Sequence, residues 1–250
     1  MNSKLQSLLK VSTEIDTTVF QRTTSCLVIA PHPDDESLGC GGLIARLCDL
    51  QIAVHVIFTT DGSMSHPHSR NTSTAARCKM REQEAISALR ILGVEEKNIT
   101  FFRGKDSALP ARGETGFPGF VAQMIGIIDG INPELVLVPY EFDPHRDHRA
   151  SWQITIAALE HYPGAEIWQY LIWLYTLGKE GDVEPISNIP GGIQYLPMGN
   201  QLGKKRTAIS QHKSQLIPDV FDDPDGFILV NEVLQNFYGD KEYYIKQVKS

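Results

Sequence analysis

Three short, almost purely apolar runs constrain the fold of this chain more than any other feature of its sequence. They lie at residues 25–30, 52–59 and 134–138 and contain many β-branched side chains. Runs of this length predict strands that are buried on both faces, as the strands of parallel sheets are. A less apolar run at residues 98–102 predicts one more strand.

Helical patterns fill the stretches between these strands. Apolar residues recur at helical spacing over 43–50 and over 85–92, where Gly93 follows and can end the helix. Further helices are predicted over 120–129 and 152–159. The order βαβαβαβα implies right-handed crossovers with helices on both faces of one sheet. We therefore expect an α/β protein with a Rossmann-like, mostly parallel sheet, folded as a single domain over residues 1–250.

The chain after residue 160 has a weaker pattern. Residues 166–175 alternate aromatic with other side chains and predict a further strand, whose aromatic residues we expect to serve packing. Residues 178–200 are rich in Gly and Pro. Helices are predicted over 204–215 and over 231–248.

Composition and charge exclude several classes of protein. There are 23 Lys and Arg residues against 30 Asp and Glu residues, a net charge of −7, which disfavours a broad surface for nucleic acid. The four cysteines lack CxxC spacing, so neither a disulfide framework nor a thiolate zinc site is expected. We find no secretory signal and no apolar run of the roughly 18–20 residues that span a membrane. A cytoplasmic protein is expected, and its oligomeric state stays open.

The segment PHPDDE, residues 31–36, follows the first predicted strand directly. Ligands of open α/β sheets bind beyond the carboxyl ends of the strands, so His32, Asp34 and Asp35 are expected at such a site. Three consecutive acidic side chains repel one another unless a cation or hydrogen-bond donors offset their charge. A divalent metal ion would do so.

A second polar segment, DPHRDH at residues 143–148, follows the apolar run at 134–138 and so reaches the same edge of the sheet. The two segments together bring His32, Asp35 and His148 toward one place. Two histidines and one carboxylate suit a catalytic zinc ion with a position left open for water, and they also suit iron or cobalt. Asp34 is then a free carboxylate beside that water, as a general base requires.

These motifs and their order resemble a known family. PHPDDE with the Gly-rich turn after it, TTDG, REQEA and HRDH are similar to motifs of the PIG-L/LmbE-type zinc-dependent N-acetylglucosaminyl deacetylases. The resemblance covers about residues 25–160. It implies a Zn²⁺-dependent hydrolase that removes an N-acetyl group from a small-molecule partner, an N-acetylglucosamine-type amino sugar or its conjugate.

The resemblance also implies roles for individual residues. The implied zinc ligands are the three residues that the two segments bring together: His32, Asp35 and His148. Asp34 matches the general base. His145 is similar to the residue that stabilises the tetrahedral oxyanion, and Asp147 is similar to a carboxylate that orients His145.

Three further residues are candidates for contacts with the sugar: Arg81, Asp106 and Asp61. Arg81 lies in REQEA and Asp106 follows the strand predicted over 98–102, and both match family positions near the sugar hydroxyls. A surface pair of Arg81 with Glu84 is the alternative for the arginine, and an Asp-Gly turn is the alternative for Asp61. Arg146 departs from the HPDH form of many members and adds a positive charge near the rim.

Other functions stay open at this point. A zinc amidase could use the same residues on another N-acyl conjugate. A Rossmann-like nucleotide-binding module without catalysis is favoured by Asp61, about 20 residues beyond Gly41. It is disfavoured by Ile44, which stands where GxGxxG requires its third glycine. A metal-binding interaction protein without catalysis would not need Asp34.

Overall fold

The computed structural model describes residues 1–160, 162–218 and 220–247, which form one eight-stranded sheet. Its strands are β1 Thr13–Glu14, β2 Ser25–Ala30, β3 Ala53–Thr60, β4 Ile99–Gly104, β5 Leu135–Pro139, β6 Glu166–Tyr170, β7 Ile193–Pro197 and β8 Lys241–Lys246. They are ordered β1-β7-β8-β6-β5-β2-β3-β4 across the sheet. Among these strands of the described residues, β8 alone runs antiparallel. The predicted α/β fold with a mostly parallel sheet is therefore confirmed.

Helices cover both faces of the sheet. Those in the described residues are α1 Ser3–Lys10, α2 Asp35–Asp49, α3 Thr74–Leu92, α4 Phe117–Ile131, α5 Arg146–Leu159, α6 Glu180–Val183, α7 Gln201–Ile209, α8 Lys213–Leu216 and α9 Asn231–Leu234. None of these helices has both the length and the apolar character needed to cross a membrane.

Strand β2 shows why its sequence is apolar without interruption. Val28 and its neighbours at alternate positions pack with α2, α3 and α7 on one face, while Leu27 and Ile29 pack with α4 and α5 on the other. Successive side chains of a strand point to opposite faces, so a strand between two helical layers needs an apolar residue at every position.

The strand predicted over 166–175 is too long. β6 ends at Tyr170, and Trp173–Tyr175 form a 3₁₀ turn. Outside the sheet, the backbone N–H of Trp173 donates to Asp143, in the turn after the neighbouring strand β5, at 3.1 Å. The aromatic alternation therefore continues past the strand, and Trp173 lines a cavity instead of packing as a strand residue.

The helix predicted over 231–248 is largely wrong. Only Asn231–Leu234 is helical, and Lys241–Lys246 is strand β8, which lies between β6 and β7. Buried Glu242 fixes this strand, since its carboxylate accepts hydrogen bonds from the backbone of Gly42 and Leu43 at 2.6 and 2.8 Å. The end of the predicted helix, at residue 248, lies outside the described residues.

The predicted helix over 204–215 is interrupted. It consists of α7, which ends at Ile209, and the short α8, which begins at Lys213. The break turns His212 and Gln215 toward the interior, where both are almost completely buried.

Candidate metal and active site

The carboxyl ends of the parallel strands open into one cavity of about 380 Å³. The part of its wall that follows β2, β4 and β5 consists of His32, Asp34, Asp35, Asp106, Ser107 and His145. The remaining wall consists of Leu38, Met64, Ser65, Arg81, Trp173, Leu177, Gln215, Phe227 and Leu229. The two polar segments of the sequence thus meet at one site, as the topology of a parallel sheet requires.

Asp35 lies between two histidines. Its Oδ2 atom is 3.2 Å from Nδ1 of His32 and 3.2 Å from Nε2 of His148. Two atoms that each bind a tetrahedral zinc ion at its usual bond length lie about 3.3 Å apart, so these spacings fit a shared metal ion. His148 is fully buried, and neither of its ring nitrogens has a hydrogen-bond partner of good geometry among the described residues. A cation bound here would satisfy one of them.

Asp143 supports this cluster and was missed by the sequence analysis. Its Oδ1 atom lies 3.6 Å from Nδ1 of His148, on the side opposite Asp35. Burial by itself lowers the pKa of His148, but the two carboxylates outweigh it and raise that pKa to about 9. A carboxylate behind a metal-binding histidine orients the ring. The signal for Asp143 was its place at the start of the DPHRDH segment.

The other ring nitrogen of His32 faces two more carboxylates. Nε2 lies 3.3 Å from Asp147 and 3.4 Å from Asp106. Burial lowers the pKa of His32, but hydrogen bonds with Asp106, Asp147 and Asp35 outweigh it and raise the pKa well above its usual value. Two sets of possible ligand atoms therefore share His32: one with His145 and His148, and one with Asp106 and Asp147. The predicted ligand Asp35 belongs to neither set, although it lies 3.2 Å from both His32 and His148. The ligand role of His32, Asp35 and His148 stays a prediction.

Asp34 stands apart from these ligands in both conformation and charge. Its backbone has φ 150° and ψ −27°, a conformation that costs a non-glycine residue roughly 1–3 kcal/mol. Glu36 stabilises the turn by accepting the Asp34 N–H at 3.0 Å. Burial raises the pKa of Asp34 to about 6, although Arg81 beside it acts in the opposite direction. A carboxylate with this pKa can take a proton near neutral pH.

Arg81 holds the turn that carries Asp34. Its guanidinium donates to the backbone oxygens of Gly62 at 2.7 Å and Pro33 at 2.8 Å, and to Oδ2 of Asp34 at 3.1 Å. The alternative surface pair with Glu84 is wrong, because Glu84 instead accepts hydrogen bonds from Ser214. Arg81 therefore lines the site, and its predicted contact with a sugar stays a prediction.

His145 and Asp147 are in contact, but not as predicted. The backbone N–H of Asp147 donates to Nδ1 of His145 at 3.2 Å, so the proton of a neutral ring lies on Nε2. The carboxylate of Asp147 accepts the N–H groups of Ser107 and Leu109 and faces His32. Burial, together with the positive charge of the neighbouring histidines, lowers the pKa of His145 to about 4.

The two remaining candidates from the sequence differ. Asp106 lines the cavity, and its Oδ2 accepts the backbone N–H of Met64 at 2.8 Å. Asp61 is not part of the cavity wall, and its Oδ1 accepts the N–H groups of Ser63 and Asp106. The geometry of Asp61 is that of a turn residue.

A family model described as PIG-L, GlcNAc-PI de-N-acetylase, matches residues 27–159, just over half of the chain. The chain belongs to the PIG-L family. The resemblance seen in the sequence is thereby confirmed.

Individual relatives agree with this assignment. Diacetylchitobiose deacetylase of Thermococcus kodakarensis is 32% identical over 143 residues, which cover 56% of this chain but only 51% of that protein. A probable N-acetyl-α-D-glucosaminyl L-malate deacetylase 2 of Bacillus cereus is 27% identical over 196 residues, 76% of this chain and 82% of that protein. The chain thus spans about half the length of the first relative and most of the second.

The fold agrees as well. The solved structure of N,N'-diacetylchitobiose deacetylase from Pyrococcus horikoshii matches with a TM-score of 0.65 and 20% identity. The match covers 99% of this chain and 94% of that one. At this identity the likeness concerns the fold alone.

The glycines after PHPDDE serve packing in this PIG-L protein. A Cβ atom on Gly39 would lie 2.3 Å from the ring of Tyr170, and one on Gly42 would lie 2.6 Å from the sulfur of Met198. These glycines let α2 approach the sheet closely. The space beside Gly39 and Gly42 is filled by protein side chains and is therefore not free for a phosphate group. This disfavours the nucleotide-binding alternative.

Sequence analysis also missed a histidine that supports the site from the C-terminal part of the PIG-L chain. His212 is buried, and its Nε2 lies 3.1 Å from Oε1 of Glu36. The other oxygen of Glu36 holds the backbone of Asp34. His212 therefore acts on the PHPDDE turn from about 175 residues away in the chain, at the break between α7 and α8.

Proposed function

We propose that this PIG-L protein is a metal-dependent hydrolase that removes the N-acetyl group of an N-acetylglucosamine-type sugar or its conjugate. The observation that carries this proposal is the contrast between two adjacent carboxylates. Asp35 lies 3.2 Å from two histidine nitrogens, in the position of a ligand, while Asp34 faces the cavity with a raised pKa. The deacetylases among the relatives support this choice of substrate.

His32, Asp35 and His148 are the residues proposed to hold the metal ion, and we propose zinc. Two histidines and a carboxylate also bind iron or cobalt, so this set of ligands is compatible with zinc, iron and cobalt. When bound, such an ion supplies Lewis acidity, which polarises the amide carbonyl and makes water a stronger acid.

The protein's own side chains handle the protons. Asp34 takes a proton from the water that attacks the amide carbonyl, and its pKa of about 6 suits that task near neutral pH. His145 directs its Nε2–H at the oxygen on which negative charge develops, a contact whose loss typically costs about 10²–10³ in turnover. The C–N bond then breaks, acetate leaves, and the departing nitrogen takes up the proton as the free amine.

The remaining residues and properties predicted from the sequence complete this proposal. Asp106 is proposed to bind a sugar hydroxyl, and Arg81 to keep Asp34 in place while it faces the substrate. All strands from β1 to β8 belong to one sheet, and this supports the proposal of a single domain over residues 1–250. A cytoplasmic location and the absence of a nucleic-acid partner stay predictions from the sequence.

The test is acetate release from a panel of N-acetylglucosamine conjugates. Zinc-loaded protein should release acetate and free amine in equal amounts from at least one conjugate, as mass spectrometry would detect. Protein stripped of metal should lose this activity and regain it with zinc. A zinc-loaded, folded protein that releases acetate from N-acetyl amino acids but from no sugar would contradict the sugar specificity.

A further inference from the structure

Gln215, a residue of the cavity wall, has a buried side-chain atom without a hydrogen-bond partner among the described residues. Gln215 is fully buried and lines the cavity. Its Nε2 donates to Oγ of Ser214 at 3.0 Å and lies 3.4 Å from Oγ of Ser65. Its Oε1 is buried and accepts no hydrogen bond from any described residue. An acceptor removed from water without a donor is unfavourable, so its position calls for a partner.

The backbone around Gln215 holds this amide in place from two sides. The Gln215 N–H donates to the carbonyl of His212 at 3.0 Å, and the Gln215 carbonyl accepts the N–H of Leu229 at 2.8 Å. Ser214, the preceding residue in the chain, donates from its backbone N–H and its hydroxyl to Glu84 of α3. The amide of Gln215 is therefore held by a built framework, as residues that select a ligand are.

Short contacts connect Gln215 to the polar cluster. Ser65, which the Gln215 amide contacts, directly follows Met64, whose N–H is held by Asp106. The adjoining wall of Phe227 and Leu229 is apolar and offers the oxygen of Gln215 no donor. A bound molecule that reaches from Asp106 to this wall would bring a donor to the amide.

We propose that Oε1 of Gln215 accepts a hydrogen bond from a hydroxyl group of the bound amino sugar, which makes Gln215 a specificity-determining residue. The inference rests on the proposed function, since it names how the same cavity recognises its sugar. A site that holds a buried hydrogen-bonding group discriminates against analogues that lack the matching hydroxyl, because binding them leaves that group unpaired.

The experiment combines one substitution with a set of substrate analogues. The probes are the methyl glycoside of N-acetylglucosamine and its 3-, 4- and 6-deoxy analogues. Gln215→Met should lower kcat/KM for the parent glycoside by about 10-fold, the size expected for one neutral hydrogen bond. One deoxy analogue should lose a similar factor with the wild type and lose nothing further with Gln215→Met. Gln215→Glu, which keeps an acceptor, should recover part of the loss.

Gln211→Met is the matched control. Gln211 lies on the same segment, but its amide donates to the carbonyl of Thr207 and it is not part of the cavity wall. This variant should retain wild-type kcat/KM on every probe. Zinc content and unfolding temperature should be equal in all the variants, which separates recognition from a change in folding.

Two results would overturn the proposal: no loss with Gln215→Met, or an equal loss on the parent and on every deoxy analogue. A wild type that releases no acetate from any probe would instead count against the proposed function. Calorimetry of the parent glycoside with the wild type and Gln215→Met then decides. Weaker binding to Gln215→Met supports the role of Gln215 without the deacetylase, and equal or absent binding overturns both.

Discussion

The region before residue 160, with the parallel strands β2 to β5, and the region after residue 160 supply different kinds of side chain to one cavity. In the first region, His32, Asp34, Asp35 and His145 lie beyond the carboxyl ends of strands, and we propose that they carry out the reaction. The second supplies Trp173, Leu177, Gln215, Phe227 and Leu229, an apolar wall with one amide. The family match, at residues 27–159, coincides with the first region. We therefore propose that residues of the first region carry out the chemistry and that the second region adds to the selectivity for the substrate.

The two regions are also held in different ways. Strand ends place the polar cluster, so its positions follow from the sheet itself. The second region is attached to the first by carboxylates that accept backbone N–H groups, as Asp223 does from His68 at 2.7 Å. The backbone N–H of Phe227 also donates a hydrogen bond to the carbonyl of Ser65 at 2.7 Å, which adds to this attachment. Substitutions should therefore affect turnover in the first region and affinity in the second.

The largest effects are expected for the adjacent carboxylates of the first region. Asp35→Asn removes the charge of a proposed ligand, so metal content should fall severely and turnover should fall with it. Asp34→Asn leaves the proposed ligands unchanged, so the metal should stay bound. Turnover should drop by roughly 10²- to 10⁴-fold, because the variant lacks the general base. Elemental analysis and acetate release on both variants measure this contrast. If Asp34→Asn loses its metal while Asp35→Asn keeps it, the ligand assignment is inverted.

The first region was largely predictable because its information is local. Each strand is one apolar run, and each polar segment follows the end of a strand within a few residues, so topology alone brings His32, Asp35 and His148 together. The choice between partners within one segment was not predictable. Asp143 and Asp147 are four residues apart, and only the turn after β5 decides that one faces His148 and the other His32.

The second region was poorly predictable because long-range contacts decide its structure. β8 inserts between β6 and β7, and its Glu242 binds α2 about 200 residues earlier in the chain. The partner of Arg81 was undecided for a related reason: Glu84 has the spacing of a helical pair, yet Ser214 occupies it. No local pattern contains this information.

A smaller effect, on affinity, is expected at the apolar wall. Trp173 lies with its ring 5.5 Å from that of Phe227 and 6.5 Å from that of His145, measured between centroids. Trp173→Ala removes apolar contact area but keeps the backbone bond to Asp143. KM should rise by roughly 5- to 30-fold, with kcat changed little, as expected when uniform binding is lost.

Steady-state kinetics with the best N-acetylglucosamine conjugate measure this effect. Trp152→Ala is the control, since Trp152 packs against the other face of the sheet and is not part of the cavity wall. That variant should keep the wild-type KM. A fall in kcat at unchanged KM with Trp173→Ala would place Trp173 in the chemistry and remove the division between the two regions.

The smallest effect concerns the contact through which the second region supports the first. Burial lowers the pKa of His212, but Glu36 at 3.1 Å outweighs it, so the folded-state pKa is raised above the unfolded value of about 6.5. The folded protein therefore holds this proton more tightly than the unfolded chain. The resulting stabilisation is fully present below about pH 6.5 and is lost as pH rises through the raised pKa.

His212→Gln isolates this contribution, because glutamine can still donate an N–H to Glu36 but does not titrate. Denaturant unfolding of both proteins, equally loaded with zinc, should be measured from pH 5.5 to pH 9. The difference in the free energy of unfolding, wild type minus variant, should shrink as pH rises, because only the wild type loses a proton from this position. A difference that stays constant would show that His212 supports the PHPDDE turn by hydrogen bonding alone, without its charge.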